Sequence, residues 1–399
     1  MKLCLCYFIL LSLLIGYIQS YSDRPLSERI KRFNNFIDQC INDSGSHQKA
    51  KIRVDEAPGM GIGTFAVDDI PKEGLYMYMP WDCVMDDQKA VNSELAFVFR
   101  DLKEKKGVSD DFHALLFFLL SERAKGDKSK FSPYIDLIPR EFDIPYYYNE
   151  RELQMLQGSD IVEEVRKERS DLVNKYNGIK SFVFDNYPSY FPSDIFNMKN
   201  YIWATHAMNS RTIWVRNSDG KRALVPLLDF VNCKQFKDTK RLHTSFRRRE
   251  SNGVEGVYTN SAEFVQRGHQ VFENYGSSNN QNFYSHGFIL PNNAHNCVNI
   301  RLTSPNGRSQ GYCFTKNKPF PQQAVDILKN MAKSKGRHNP NHMNSVYLEL
   351  KDIIDTQLKI YKSSSINYDI KRSKNASLPS RERLIHAFLA DEKQQLIEL

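Results

Sequence analysis

The 399-residue chain lacks most of the features that mark the commonest specialised protein classes. Its 19 glycines and 16 prolines are too few for a collagen-like or low-complexity chain. No repeat of fixed period occurs, which excludes a solenoid. The net charge of +8 is not gathered into a long run, since the densest cluster is Arg247 to Arg249. Charge alone therefore predicts no nucleic-acid partner.

The sequence also lacks the motifs of several large enzyme classes. HExxH, GxSxG, a P-loop and paired CxxC spacings are all absent, which disfavours the common metalloenzymes, hydrolases and kinases. The turn Gly61-Ile62-Gly63 lacks the third glycine and the long following helix of a dinucleotide-binding fingerprint. We therefore predict neither a Rossmann domain nor a metal site. With 41% hydrophobic and 26% charged residues, the composition is that of a globular protein of about two or three domains.

The one long apolar run lies at the N-terminus. Lys2 precedes an apolar stretch from Leu3 to Ile18, and small Ser20 follows it, which is the pattern of a secretory signal peptide over residues 1–20. Because Ile18 is a poor residue at the minus-three position, an uncleaved signal anchor stays open as an alternative, as does a buried helix. We expect the chain to enter the secretory pathway and to reside in the lumen or outside the cell.

The cysteines fit this expectation without proving it. Cys4 and Cys6 belong to the signal segment, and the remaining five are too few for a dense disulfide framework. One or two bridges have room to form in an oxidising compartment. Two sequons for N-glycosylation, at Asn42 and Asn375, are available there.

Hydrophobic periodicity predicts an order of strands, a helical insert, strands again and a helical tail. Short apolar runs separated by glycine and proline indicate strands over residues 51–90. Apolar spacing indicates a helix from Phe112 with an Asp110 or Asp111 cap, and Asn149 with Glu152 resembles a capping box. Another helix is expected to run to Gly178. Strand-like runs return at residues 224–231 and 264–275, and helices resume from about Val346.

Five segments in a fixed order carry a family resemblance. They are Gly61-Ile62-Gly63 with Ala66 to Ile70, Tyr134-Ile135-Asp136-Leu137-Ile138-Pro139, Asn209-Ser210-Arg211 with Leu228-Asp229-Phe230-Val231-Asn232-Cys233, Gly268 to Gly276 with His286-Gly287-Phe288, and Ala387 to Lys393. Each segment alone is weak, but together they resemble the SET-domain protein methyltransferases. The chain is most similar to the branch of the Rubisco large-subunit and actin-histidine methyltransferases.

The resemblance implies an α+β fold. It implies a SET domain of short β-sheets with a pseudoknot over residues 50–290, carrying a helical insert at about 110–222. An all-helical domain that binds the protein substrate is expected to follow over residues 291–399. In this family the strand with Asn232 and the segment with Tyr275 are neighbours, because the chain threads beneath an earlier loop.

The same resemblance implies a protein N-methyltransferase that uses S-adenosylmethionine (SAM), with a protein substrate and neither a metal nor a nucleic acid. Tyr275 takes the catalytic position beside the transferring methyl. The residues implied to bind the cofactor are Gly61, Ile62, Gly63, Arg211, Asp229, Asn232, Cys233, His286, Gly287 and Phe288. Of these, Arg211 is expected to pair with the cofactor's carboxylate, Asn232 to bond to the adenine and Phe288 to stack on it. The signal anchor is the only membrane contact considered.

Two departures from the family pattern bear on activity. Cys233 stands where relatives have histidine, so a catalytically silent binding module is one alternative reading. In the histidine-modifying branch, a polar amide lies two residues after the arginine and a tryptophan precedes the aspartate. Here those positions hold Ile213 and Leu228. An apolar wall suits the stem of a lysine and favours its neutral amine, so lysine is the predicted acceptor and histidine the alternative.

Overall fold

The computed structural model describes residues 24–107, 110–215, 222–236, 246–250, 252–304, 307–316, 318–337, 342–362 and 365–399. The predicted signal segment lies outside these residues. No helix in the described part of the chain combines the length and the apolar character needed to cross a membrane.

Thirteen helices are found among the described residues, with several short 3₁₀ turns between them. The helices are α1 (Leu26–Ser44), α2 (Asp87–Val91), α3 (Ala96–Lys106), α4 (Asp111–Ala124), α5 (Ser132–Leu137), α6 (Glu150–Met155), α7 (Ile161–Phe182), α8 (Met198–Arg211), α9 (Asn279–His286), α10 (Gln322–Ser334), α11 (His342–Ile360), α12 (Ile366–Ser373) and α13 (Ser380–Glu398).

The strands of the described residues are short. They are β1 (Ile52–Ala57), β2 (Gly61–Ala66), β3 (Leu75–Pro80), β4 (Met85–Asp86), β5 (Thr212–Trp214), β6 (Arg222–Leu224), β7 (Asn232–Cys233), β8 (Phe246–Arg249), β9 (Glu255–Asn260), β10 (Gln270–Glu273), β11 (Val298–Thr303) and β12 (Ser309–Phe314).

The chain forms two compact units. The first comprises Met1–Glu141 and Lys175–Tyr275, and the second comprises Phe142–Asn174 and Gly276–Leu399. This division differs from the one predicted from sequence, which kept residues 142–174 in the insert and began the last domain at residue 291. The physical reason is burial: Leu153, Leu156 and Ile161 share one hydrophobic core with the C-terminal helices.

The first unit holds three small sheets. Their strand orders are β1-β2-β10-β7, β3-β9-β8 and β4-β6-β5. All neighbouring strands are antiparallel except β7 and β10, which run parallel. A parallel pair needs a long crossover connection, so this pair brings together segments that are distant in sequence. The expected proximity of the Asn232 strand and the Tyr275 segment is thereby confirmed.

Local capping fixes several helix starts as predicted. The Asp110 carboxylate accepts from the N–H groups of Phe112 and His113 at the start of α4. Asn149 and Glu152 form the predicted capping box of α6. Helix α7, however, continues to Phe182 instead of ending at Gly178, where a side chain would meet open space.

The predicted strands after residue 220 are shorter than expected. Residues 224–231 contribute only the end of β6, since Leu228–Phe230 form a 3₁₀ turn. Within residues 264–275, only Gln270–Glu273 are a strand.

The second unit is mainly helical, but it also contains the antiparallel hairpin β11-β12, which the sequence reading did not include. Its core is lined by apolar side chains of α6, α7, α9, the hairpin, α10, α11 and α13. Phe283 and Phe388 stack in this core with ring centroids 4.2 Å apart.

Among the described residues, each unit carries one disulfide. Cys40 of α1 is bonded to Cys83 in the first unit, and Cys297 is bonded to Cys313 in the second. Cys233 is a buried free thiol.

Candidate active site

The candidate site is built around the parallel pair β7 and β10. Asn232 lies opposite Phe272, and Cys233 lies opposite Glu273. Strand β10 also pairs with β2, which contains the Gly61-Ile62-Gly63 turn residues. The sheet therefore brings three of the predicted motifs side by side.

Tyr275 follows β10 and turns its side chain back toward β7. Its hydroxyl donates to the Val231 carbonyl oxygen at 2.7 Å, and its N–H donates to the Cys233 sulfur at 3.5 Å. Burial, with a smaller contribution from Cys233, raises the pKa of the Tyr275 phenol. The hydroxyl is therefore protonated at neutral pH, and its oxygen keeps lone pairs that can face a polarised methyl group.

Cys233 is a structural thiol at this position. Burial raises its pKa to about 11, so it is neutral near pH 7 and cannot serve as a thiolate nucleophile. Its sulfur accepts a hydrogen bond from the backbone N–H of Tyr275, and this bond links the ends of β7 and β10. The cysteine thus retains one contact that helps to place Tyr275.

Arg211 ends helix α8 and pairs with Asp229 across the first unit. Its Nη1 donates to the Asp229 carbonyl oxygen at 3.0 Å and lies 3.3 Å from the carboxylate Oδ2. The same Oδ2 accepts the Tyr134 hydroxyl at 2.7 Å. The Arg211 guanidinium also lies over the Phe230 ring, 4.7 Å from its centroid. Arg211 is therefore oriented by three residues from two different segments.

Two buried polar atoms of this pair have spare hydrogen-bonding capacity. Among the described residues, neither Arg211 Nε nor Asp229 Oδ1 has a hydrogen-bond partner. Burial raises the pKa of Asp229 to about 6, and Arg211 opposes that shift. A buried, unmatched guanidinium N–H is suited to the carboxylate of an amino-acid ligand, so the residues fit the predicted cofactor.

The backbone just before Asp229 is strained. Leu227 is fully buried and has φ of 77°, a conformation that a leucine seldom adopts. Such strain costs on the order of 1–3 kcal/mol and is concentrated at functional sites. Here it turns the chain from β6 into the 3₁₀ turn that carries Asp229.

Gly61 and Gly63, which were predicted to form a turn, lie at the start of strand β2 and leave it a bare surface next to Asn232. A Cβ at Gly63 would lie 2.4 Å from Gln270 Nε2 and 2.9 Å from Asn232 Nδ2. Asn232 Nδ2 in turn donates to the Ile62 carbonyl oxygen at 2.9 Å. Gly61 has φ of 75°, which favours glycine. The predicted approach of main chain to the cofactor at this cradle stays a prediction.

The remaining predicted residues lie in the second unit. His286 is the last residue of α9, Gly287 is its left-handed C-cap with φ of 73°, and Phe288 follows. A Cβ at Gly287 would lie 2.1 Å from the Asp143 carbonyl oxygen, so packing within that unit already requires a glycine there. The predicted role of these three residues in cofactor binding stays a prediction.

Sequence reasoning missed two supporting residues. Tyr134 and Phe230 both lie in segments that carry the family resemblance. Neither was assigned to the site from sequence. Both act through Arg211 and Asp229, and their contacts depend on tertiary packing. Within the described residues, no group of three or more histidine, cysteine or acidic side chains could hold a metal ion.

This architecture is that of the SET-domain fold. The model resembles the SET domain of LSMT bound to lysine and AdoHcy with a TM-score of 0.76 at 19% identity, covering 94% of this chain and 90% of that one. It resembles Rubisco LSMT bound to AdoMet with a TM-score of 0.72 at 17% identity over the same shares. At these identities the likeness shows the fold, and it confirms the predicted SET fold.

Sequence comparison gives a more particular likeness. The chain is 30% identical over 249 residues to the actin-histidine N-methyltransferases of Rattus norvegicus and Homo sapiens. The match covers 61% of this chain and 40% of each relative, so the chain spans less than half the length of these curated relatives. No family model matches the sequence.

Proposed function

We propose that this protein is a SAM-dependent protein N-methyltransferase. The observation that carries the proposal is the parallel pairing of β7 with β10, which sets Asn232 and Cys233 beside the segment that ends in Tyr275. The SET fold and the likeness to actin-histidine methyltransferases support it.

The residues of the first unit supply the contacts that the methyl donor needs. Main chain at Gly61 and Gly63 approaches the donor closely, because neither residue has a side chain. Arg211 offers a buried N–H to its carboxylate, and the Asn232 amide offers hydrogen bonds to its polar groups. When bound, the donor supplies an electrophilic methyl group on a sulfonium.

Tyr275 supports the transfer itself. The reaction is an in-line displacement in which an N–C bond forms as an S–C bond breaks, so donor and acceptor must be held about 3 Å apart in a site that excludes water. The Tyr275 oxygen, fixed by its donation to Val231, offers lone pairs toward the polarised methyl. The acceptor nitrogen must be neutral, because only a free lone pair can form the N–C bond, so a lysine ammonium releases its proton to solvent before the transfer.

Calorimetry with SAM tests the proposal directly on the full chain. The wild type should bind SAM, and Arg211→Ala should weaken binding by roughly tenfold or more because it removes a charge-assisted hydrogen bond. Arg249→Ala is the matched control, since Arg249 is an exposed arginine paired with Glu255 on neighbouring strands. No heat at millimolar SAM would instead favour the silent binding module.

We further propose lysine as the acceptor residue. Ile213 of β5 is half-buried and Leu228 is buried, so neither position offers a polar partner to an imidazole. The named relatives at 30% identity are histidine methyltransferases, which makes a direct test necessary. Tritiated methyl should be incorporated into protein from a lysate and recovered as methyl-lysine; recovery as methylhistidine would overturn the assignment.

The proposed compartment is the secretory pathway. The apolar N-terminal segment motivates this proposal, and the two disulfides and the exposed sequon residues Asn42 and Asn375 support it. A reporter fused to residues 1–30 should be exported from cells. Retention of that reporter in the cytosol would contradict the proposal.

A further inference from the structure

Helix α1 precedes the predicted SET domain in sequence, yet three sets of contacts attach it to the rest of the first unit. Its Asn34 side chain exchanges hydrogen bonds with the backbone of Val54, at 2.9 and 3.0 Å, along the edge strand β1. Arg29 donates to the Asp136 carbonyl oxygen in α5. Cys40 is disulfide-bonded to Cys83, in the 3₁₀ turn that follows β3.

The middle of α1 reaches the residues that orient Arg211. Phe33 is completely buried, and its ring meets the Phe230 ring edge-on with centroids 5.2 Å apart. Phe33 also lies 6.4 Å from the Tyr134 ring. Phe230 lies beneath the Arg211 guanidinium, and Tyr134 holds the Asp229 carboxylate. One aromatic side chain of α1 therefore packs against both supports of the Arg211–Asp229 pair.

The disulfide fixes the position of Phe33. Cys40 lies about two helical turns beyond Phe33, so both residues are on the same face of α1. Both sulfurs belong to buried residues. A covalent link this close to Phe33 limits how far α1 can slide or lift from the unit.

We infer that α1, closed by the Cys40–Cys83 disulfide, is part of the donor-binding half of the site, with Phe33 as a positioning residue for Arg211. This inference rests on the proposed function. Opening the disulfide loosens the contact of Phe33 with Phe230 and Tyr134, and the Arg211 guanidinium becomes less ordered. Donor affinity then falls, whereas turnover at saturating donor is retained because the hydrogen bonds that hold Tyr275 go to Val231 and Cys233, outside α1. The enzyme is fully assembled only in its oxidised form.

Phe33→Leu and Phe36→Leu form a matched pair for the test. Both residues are buried on α1 and their ring centroids lie 6.3 Å apart, but of the two only Phe33 has a described ring contact with Phe230. We expect Phe33→Leu to raise the Kd and KM for SAM roughly three- to tenfold with little change in kcat, in keeping with the usual energy of an aromatic pair. Phe36→Leu should leave these constants near those of the wild type.

The disulfide is tested by a second pair of variants. The double variant Cys40→Ser/Cys83→Ser should weaken SAM binding in the same way, whereas Cys297→Ser/Cys313→Ser, which opens the other disulfide, should not. If the first double variant fails to fold, reduction and reoxidation of the folded Cys297→Ser/Cys313→Ser variant, which keeps Cys40–Cys83 as its described disulfide, replace it. Affinity should fall on reduction and return on reoxidation.

Hydrogen exchange separates this inference from the proposed function. The amides of residues 228–230 should exchange faster in Phe33→Leu and in the variant lacking Cys40–Cys83 than in either control, with no donor present. Unchanged exchange together with unchanged affinity overturns the inference. The inference is also overturned if the control variants show equal effects, or if kcat falls while the affinity for SAM does not. A wild type that binds no SAM while exchange still responds to Phe33 refutes the proposed function alone.

Discussion

At the scale of single residues, Asp229 connects Arg211 and Tyr134 in the candidate site. Its carboxylate, completely buried, meets the Arg211 guanidinium and the Tyr134 hydroxyl, and its carbonyl oxygen accepts from Arg211 as well. Removing one partner of a buried ion pair leaves an uncompensated charge, which costs more than the pair itself contributes. Arg211 is therefore held in place before any ligand arrives, and its Nε is the atom that stays available.

Tyr275→Phe should remove most methyl transfer and leave SAM binding nearly intact. The change deletes a hydroxyl that donates to Val231, so folding should lose about 1–3 kcal/mol for the unpaired carbonyl. If the oxygen acts mainly in the transition state, kcat and kcat/KM should fall together by roughly 10²- to 10³-fold. Calorimetry and methyl incorporation measure the two effects, after circular dichroism has confirmed folding. Wild-type turnover in this variant would show that the catalytic tyrosine is misassigned.

Gly63→Ala should weaken SAM binding with little effect on stability. The new Cβ would push aside the ends of the Gln270 and Asn232 side chains, and Asn232 would lose its bond to the Ile62 carbonyl. We expect a Kd roughly tenfold higher, which corresponds to about 1.4 kcal/mol. Gly59→Ala is the control, because Gly59 lies in the neighbouring turn between β1 and β2, with positive φ and open space around it. If both variants bind SAM equally well, the cradle at Gly63 has no role in binding.

At the scale of elements, the helices of the second unit are joined by buried polar contacts as well as by apolar ones. Glu392 of α13 accepts from Tyr361, just after α11, at 2.8 Å and from Ser159, just before α7, at 3.0 Å. Burial raises the pKa of Glu392 to about 8, and the nearby carboxylates Asp160 and Asp391 add to that shift. The side chain is thus protonated in the folded protein at neutral pH, in contrast to an exposed glutamate.

Glu392→Gln should remove a pH dependence of stability. The folded pKa of Glu392 exceeds its unfolded value of about 4.5, so its stabilising contribution is complete below pH 4.5 and is lost as the pH rises through 8. Between pH 5 and 8 the wild type should lose on the order of 3 kcal/mol relative to the glutamine variant. Denaturant unfolding across this range measures the difference. The exposed Glu163→Gln should unfold in parallel with the wild type; a parallel curve for Glu392→Gln would disprove the buried neutral carboxyl.

At the scale of the whole molecule, the covalent links and the surface sequons carry the prediction about its compartment. Made through the secretory pathway, the protein should carry glycans at Asn42, at the exposed end of α1, and at Asn375, in the exposed turn before α13. Digestion with an N-glycosidase should lower the apparent mass, and Asn42→Gln and Asn375→Gln should each remove one step. An unshifted single band from secreted wild-type protein would contradict both sites.

Some elements of this structure could be predicted from the sequence, and others could not. Helix starts at Asp110 and Asn149 were predictable because a cap depends on residues two or three positions apart. The shortened strands after residue 220 were not, because a strand's length is set by its partner, and β7 and β10 each find theirs across a long chain separation. The β11-β12 hairpin escaped prediction for another reason: its strands are close in sequence, but the family resemblance led us to expect only helices over residues 291–399.

The sequence by itself determined the order of the motifs, and with it the SET fold and the neighbourhood of Asn232 and Tyr275. Only the tertiary structure decided which cysteines pair, that residues 142–174 join the C-terminal unit, and that Phe33 packs beneath the site. Five cysteines permit many pairings, and a buried aromatic residue looks the same in sequence whatever it packs against. A motif can be recognised in the sequence because its residues share one short segment of backbone. The contacts among Arg211, Asp229 and Tyr134 cannot be recognised there, because they form only when three distant segments are packed together.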